Sequence, residues 1–513
     1  MEQRRYIELF TNPASVRMDE IPVLDYDRFL DFLEILMGEE GTHCVSYFVV
    51  PGEHTFRLIC CMAADENHAL VLFSHEQPRD PLPSIPSITA KHFQFHIFER
   101  EIHELTGIRF EGHPWLKPVR YPYDRYDRSQ VMDNYPFFNI EGESLHEVGV
   151  GPVHAGIIEP GHFRFICKGE EVLHLEIHLG YQHRGVERLF TKGNGMIGKS
   201  ILAESIAGDT AIGHSQAFAG VTEALAGKSV PAGLHRERSV ALELERIAVH
   251  ISDTAALCTD IAYQFGQVVC EALRTLVINT TQLWCGNRFG KGLVRPGGTN
   301  YPLTPQIAET ILTNLKEVEE RYNAITKRIF TLPSVLGRFE GTGTVTPKQA
   351  TLIGAVGMAA RSSGVYRDIR WSHPFAAYSG LSVEPVMLQK GDVWSRAMLR
   401  KLEVEQSVSL IRELLQQIAT KEEHDSTRNG FLRPDYHMEF RKEALAISLV
   451  EGWRGEICHI ALTGANGEIC HYKVKDPSMH NWMALALAVR SQEISDFPLC
   501  NKSFNLSYCG NDL

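Results

Sequence analysis

Ser503-Phe504-Asn505-Leu506-Ser507-Tyr508-Cys509-Gly510-Asn511-Asp512-Leu513 closes the chain. The stretch offers a single thiol, Cys509, and a single carboxylate, Asp512; its other polar side chains are hydroxyls and amides. Soft metals are held by several thiolates converging on one volume, and hydroxyls are poor substitutes. Cys509 is therefore read as a free buried thiol, packing like a small hydrophobe. Far upstream, Glu204-Ser205-Ile206-Ala207-Gly208-Asp209-Thr210-Ala211-Ile212-Gly213-His214 likewise combines acids, a histidine and hydroxyls with no cysteine.

Working outward, 513 residues exceed what one core usually holds, which sets an expectation of roughly two to four domains. The hydrophobic share of 44% and charged share of 22% are those of an ordinary globular protein. A net charge of −12 argues against a nucleic-acid partner or direct binding to an anionic membrane. Met1 to Arg5 leads into no sustained apolar core, and no apolar run reaches the roughly 18 residues of a membrane span. The eleven cysteines include no Cys-x-x-Cys pair. That pattern fits reduced thiols in the cytoplasm and excludes a bound iron-sulfur cluster of the usual spacing.

The first third reads as α/β. Phe56 to Met62 and Ala69 to Phe73 are β-favouring runs around the polar turn Asp65-Glu66-Asn67, and His92 to Leu105 predicts a strand followed by a helix. Pro118 to Pro136 has the look of an extended linker. Beyond Gly149, Phe163 to Ile166 and Val172 to Leu179 predict strands. Val240 to Ile251, Ile307 to Ile325 and Ala397 to Ile418 carry helical apolar periodicity. Glu456 to Leu462 and Glu468 to Val474, joined through Gly464 to Gly467, predict a hairpin.

Two signatures carry a resemblance. Phe98-Glu99-Arg100-Glu101-Ile102-His103-Glu104-Leu105-Thr106-Gly107-Ile108-Arg109-Phe110-Glu111-Gly112-His113-Pro114 resembles the C-type component of respiratory complex I, with Gly107 ending a helix and Gly112-His113-Pro114 making a turn. Gly151-Pro152-Val153-His154, Pro160-Gly161-His162-Phe163-Arg164 and Gly180-Tyr181-Gln182-His183-Arg184-Gly185-Val186-Glu187-Arg188 resemble the D-type component of complex I and the large subunit of hydrogenlyase-type (group 4) [NiFe] hydrogenases. Leu242 to His250, Arg295-Pro296-Gly297-Gly298 and Arg361 to Asp368 continue it. In the hydrogenases two cysteine pairs hold nickel and iron. On that frame their positions here are Ala207, Thr210, Ser507 and Gly510, so the resemblance is to the kind that lacks the metal ligands.

The resemblance implies an α+β chain. Residues 1–130 would be a small α/β docking domain like the C-type component, 131–148 a linker, and 149–513 a mainly helical domain like the D-type component and the hydrogenase large subunit, with flanking β structure. It implies a subunit of an NADH-quinone-oxidoreductase-like or hydrogenase-like complex, coupling electron transfer to ion translocation, with quinone and NAD chemistry belonging to the complex. The alternatives are a silent subunit for conformational coupling and a hydrogenase component with hydrogen activity, the latter disfavoured by the missing thiolates. No directly bound cofactor and no nickel-iron centre are expected. Iron-sulfur clusters would sit on a small partner subunit, and membrane proteins of the antiporter-like and complex I H-type kinds would complete the assembly. The whole would be peripheral on the cytoplasmic face of the inner membrane.

In complex I the emptied metal cavity heads a quinone channel, lined by a histidine of the first hairpin loop and a tyrosine on the following helix. Here His154 and His162 supply the histidine, while Phe218 stands at the tyrosine position and cannot donate a hydrogen bond. The cavity residues expected from this frame are His154, His162, Asp209, His214 and Asp512, with Glu204, Glu243 and Glu245 either joining a relay or pairing with Arg246 or Arg288. Gly193-Asn194-Gly195-Met196-Ile197-Gly198-Lys199-Ser200 matches the phosphate-cradling pattern but lacks the apolar strand before it, and reads as a loop ahead of a helix at Ile201 to Ile206. His174 and His178 have helical metal-ligand spacing on a predicted strand, where they would stand about 13 Å apart.

Overall fold

A sheet with both faces covered explains the apolar runs of the first third. The computed structural model describes residues 5–154, 159–420 and 432–513, with the backbone alone at 419 and 420. Ile7–Leu9, Ala69–Pro78, Thr55–Ala64 and Thr42–Pro51 pair in that order, and Val23–Leu24 adds in parallel to Ala69–Pro78. Alternate residues face opposite ways along a strand. Leu58, Cys60, Met62, Val71 and Phe73 pack under the helices Tyr26–Met37 and His96–Thr106. Ile59, Cys61, Ala63, Leu70 and Leu72 enter the large core of the rest of the molecule.

His92 to Leu105 departs from expectation: a 3-10 turn at Phe93–Phe95 runs straight into the helix, with no strand. The spacing of Phe98 and Ile102, both buried, is that of one helix face. Gly107, at φ +79, ends the helix, and its amide bonds to the carbonyl of His103 at 2.8 Å. Residues 112–145 contain no strand and only one short 3-10 turn, yet Val119, Arg120 and Tyr135 are buried, and Arg120 Nε donates to the carbonyl of Asn511.

The second part opens with the expected hairpin, His162–Lys168 and Glu171–His178, to which His146–Val150 adds. Three helices cover the stretches of helical periodicity and outrun them, Ala232–Asp260, Pro305–Ile329 and Val393–Thr420, and two that the periodicity did not mark, Ala211–Ala226 and Gln264–Cys285, lie beside them. The start at Pro305 shows why, because the Thr304 side chain caps the amide of Ile307 and proline fits the first helical position. Gly195–Ala203 is also helical, so the Gly-Lys-Ser sequence lies inside a helix, earlier than the expected start at Ile201.

The predicted C-terminal hairpin forms from Glu456–Thr463 and Ile469–Lys475. Ala444–Glu451 joins it, and on the far edge Ala14–Arg17 pairs antiparallel, Ala14 opposite Ile447. The N-terminal segment is thus stitched into the last sheet of the chain. Among the described residues no helix is long and apolar enough to cross a membrane. The architecture is α+β, as expected.

Candidate functional site

The turn Ala207 to His214 and the tail from Asn505 meet around one guanidinium. Arg454 is buried against the Trp453 ring at 3.9 Å. It grips Asp209 through Nη1 and Nη2 at 2.6 and 2.7 Å, and its Nη1 and Nε donate to Thr210 Oγ1 (3.2 Å) and the carbonyl of Asn505 (2.6 Å). Bidentate arginine–carboxylate pairs are strong and directional, so the grip fixes both segments. Burial alone would lower Arg454, but Asp209 more than offsets that and raises it.

Asp476, just past the Ile469–Lys475 strand, is the second junction. Its Oδ1 accepts from the amide of Ser478 at 2.8 Å and its Oδ2 lies 3.1 Å from His214 Nε2. Gly510 presses on the same carboxylate, where an added Cβ would stand 2.7 Å from Oδ2. Ser507 Oγ accepts from the amide of Gly510 at 2.9 Å and so caps the final helix, Tyr508–Asp512. The residues at the four cysteine positions do not fit a nickel-iron centre. Ala207 and Gly510 carry no donor atom, the Thr210 and Ser507 hydroxyls are engaged, and the approach of Asp476 to Gly510 leaves no room for a side chain. Among the described residues no three His, Cys, Asp or Glu side chains are grouped to hold a metal ion.

From Asp476 a chain of buried groups runs inward. His214 Nδ1 lies 3.1 Å from His459 Nε2, and His459 Nδ1 lies 2.8 Å from the Tyr472 hydroxyl. The hairpin register makes His459 and Tyr472 diagonal neighbours on one face, since His459 is opposite Val474 and Tyr472 opposite Ala461. Burial, then His214, pushes His459 well below the usual imidazole range, and burial raises Tyr472 well above the usual phenol range. Burial pushes Asp476 upward, but the hydrogen bond and charge of His214 and the charge of Arg454 more than offset it and hold it low. Tyr472 packs on Phe190 at 4.1 Å and lies 6.4 Å from Phe218, so strand Ile469–Lys475 brings a phenol beside the phenylalanine of the expected tyrosine position.

The remaining expected residues are dispersed. Gly161, in the loop between the paired strands His146–Val150 and His162–Lys168, packs against the Tyr508 ring, and burial together with Glu159 pushes the half-buried Cys509 thiol up to about 11. His154 lies against Phe163 at 5.9 Å, and His162 packs on Phe137 with Nδ1 at 3.3 Å from the Gly151 carbonyl. Asp512 turns the other way and accepts from the amides of Gly180 and Gln182, each at 2.9 Å. Glu204 pairs with Arg295 at 2.6 Å, while Glu243 meets Arg246, Arg370, Tyr378 and Ser407, the structural pairing anticipated for it. Glu245 accepts from the amides of Ile212 and Gly213; burial outweighs those bonds and lifts it to about 8. It faces a cavity of about 170 Å3 that also reaches Asp209, Arg274 and Arg288. His178 lies between the Tyr121 and Tyr181 hydroxyls and His174 beside Phe138, an aromatic setting with no shared metal position.

His459, Tyr472, Asp476 and Arg454 were not legible as site residues. The hairpin pattern does place the first two on one face, but their partner His214 lies on a distant helix.

The family described as "Respiratory-chain NADH dehydrogenase, 49 Kd subunit" matches residues 260–512, and "Respiratory-chain NADH dehydrogenase, 30 Kd subunit" matches residues 23–136. The carbon monoxide-induced hydrogenase of Rhodospirillum rubrum is 29% identical over 71% of this chain and 98% of its own. The fused C/D component of the NADH-quinone oxidoreductase of Phocaeicola vulgatus is 23% identical over 79% of this chain and 82% of its own. A chain of the membrane-bound sulfane sulfur reductase, an archaeal respiratory membrane complex, superposes with a TM-score of 0.65 at 19% identity, covering 73% of this chain and all of that one.

Proposed function

The chain carries the 30 kDa-type and 49 kDa-type modules of the respiratory NADH dehydrogenase families in one polypeptide, among relatives that include group 4 hydrogenase subunits, and on that premise we propose that it is a soluble-arm subunit of a membrane-associated oxidoreductase complex, coupling electron transfer to ion translocation without a nickel-iron centre. The observation that carries this is the replacement of four thiolate positions by Ala207, Thr210, Ser507 and Gly510, with Arg454 and Asp476 in the space between. Electrons would reach the subunit from an iron-sulfur small subunit, and membrane partners of the antiporter-like and H-type kinds would move the ion. A quinone-like acceptor would lie by the His154 and His162 loop. The complex would sit peripherally on the cytoplasmic face of the inner membrane, held by those partners.

Purified complex should contain no stoichiometric nickel and show no hydrogen uptake; about one nickel per chain would overturn the proposal. Turnover with His154→Ala, His162→Ala, His214→Ala and Asp512→Asn tests the pocket. The filled space around Arg454 supports a second reading, a catalytically silent subunit that transmits conformational change. Wild-type acceptor reduction and ion coupling in all four variants would establish that second reading in place of the first.

A further inference from the structure

The donor and acceptor inventory allows the Tyr472–His459–His214–Asp476 chain two complete hydrogen-bond arrangements. An ionised carboxylate only accepts, and a neutral imidazole has one donor and one acceptor nitrogen. With both rings neutral, Tyr472 O–H donates to His459 Nδ1, His459 Nε2–H donates to His214 Nδ1, and His214 Nε2–H donates to Asp476 Oδ2. Each of these contacts is 2.8 to 3.1 Å. With one more proton, His214 donates from both nitrogens, to Asp476 and to His459 Nε2, and His459 donates from Nδ1 to the Tyr472 oxygen. The two arrangements interconvert without moving a heavy atom.

We propose that His214 and His459 form a proton-loading pair, in which one proton taken up at the Tyr472 end is stored on His214 with Asp476 as fixed counter-charge. This rests on the reading of the chain as a subunit that couples electron transfer to ion translocation. In the step, hydronium gives its proton to the Tyr472 oxygen and becomes water. The phenol's own proton passes to His459 Nδ1, and the His459 Nε2 proton passes to His214 Nδ1. One O–H or N–H bond forms for each that breaks, and the chain gains one positive charge against the carboxylate of Asp476. Burial keeps His459 neutral, which leaves its Nε2 free to accept.

The charged groups around the pair suit storage. Asp476 stands at one end, Arg454 beyond it already carries Asp209, and Glu187 on the helix Val186–Thr191 acts on Tyr472 from the other side. Phe190 and Phe218 wall the buried tyrosine end, so hydronium reaches the Tyr472 oxygen only as that wall opens. Because Asp476 abuts Gly510, the stored proton would lie beside the position of a former metal ligand.

The test is nitrogen NMR of the full chain labelled with 15N-histidine. Both rings should change in one step, and a scalar coupling should connect His214 Nδ1 with His459 Nε2. Asp476→Asn should move the step to lower pH by about one unit or more, because a nearby opposite charge favours the loaded form. Independent titration of the rings, or a step unmoved by Asp476→Asn, would overturn the pair. If that variant does not fold, absence of the coupling in the wild-type chain overturns it by itself. A joint step in a chain whose assembled complex turns over normally with His459→Gln supports the pair while removing the proposed role of the pocket in coupling.

Discussion

His43 and Glu456 form an ion pair across the two modules, 2.8 Å between Nε2 and Oε2, with both side chains almost wholly buried. Asp65, His373, Arg367 and Lys475 complete the cluster. Removing one partner of a buried pair leaves an uncompensated charge, so Glu456→Ala should cost about 3–5 kcal/mol. Urea unfolding of the full chain checks this.

The same cluster fixes a pH dependence. Burial alone would raise Glu456 and Asp65, yet Lys475 and His43 for the first, and His43 and His373 for the second, hold both below the usual carboxylate range. Their stabilisation is therefore present above about pH 4 and lost as pH falls through the folded values. Burial and Arg367 would lower His43, but Asp65 and Glu456 raise it, so its contribution is complete below about pH 6.5 and lost as pH rises through its folded value. Urea midpoints across the acid range should fall steeply, and less steeply in Glu456→Gln.

Gly510→Ala should destabilise by about 1–3 kcal/mol through overpacking against Asp476. For the same reason, placing cysteines together at 207, 210, 507 and 510 should yield a less stable protein and no nickel site. Thermal unfolding and elemental analysis of the variants check both.

The Lys199→Ala chain and the wild type should both show no saturable ATP binding by calorimetry, since Lys199 lies within a helix entered directly from another helix, Val186–Thr191, and not from a strand.

Residues 1–130 expressed alone would keep one sheet face under its two helices but expose Ile59, Cys61, Leu70 and Leu72. The fragment should bind a hydrophobic dye strongly, and co-expression with residues 131–513 should abolish that binding.

The sheets and long helices were legible because apolar periodicity writes them locally: Leu242, Ile247 and Ile251 mark their helix without reference to anything distant. The polar interior was not. In Glu456–Thr463 every residue is buried, so Glu456 and His459 look like solvent-facing positions and are not. Lys473 and Lys475 mislead in the same way, because the carboxylates that neutralise them, Glu101, Glu187 and Glu456, come from three separate stretches of chain. Sequence spacing carries no record of such meetings. The four positions that the motif frame assigns to cysteine could be located by lining up motifs, but not the arginine and aspartate that lie beside them.

The pairing of Ala14–Arg17 with Ala444–Glu451 sets a timetable for synthesis. Asn12 donates to the carbonyl of Leu449, 437 positions later. At ribosomal speeds of about 5–20 residues per second, roughly 20 to 90 s separate the appearance of the two. Throughout that interval the Ala14–Arg17 strand is an open edge with Ala14 and Val16 still to be covered. The nascent chain must be sheltered or held by its own N-terminal sheet until the last sheet emerges, which makes the earliest residues made among the latest to find their place.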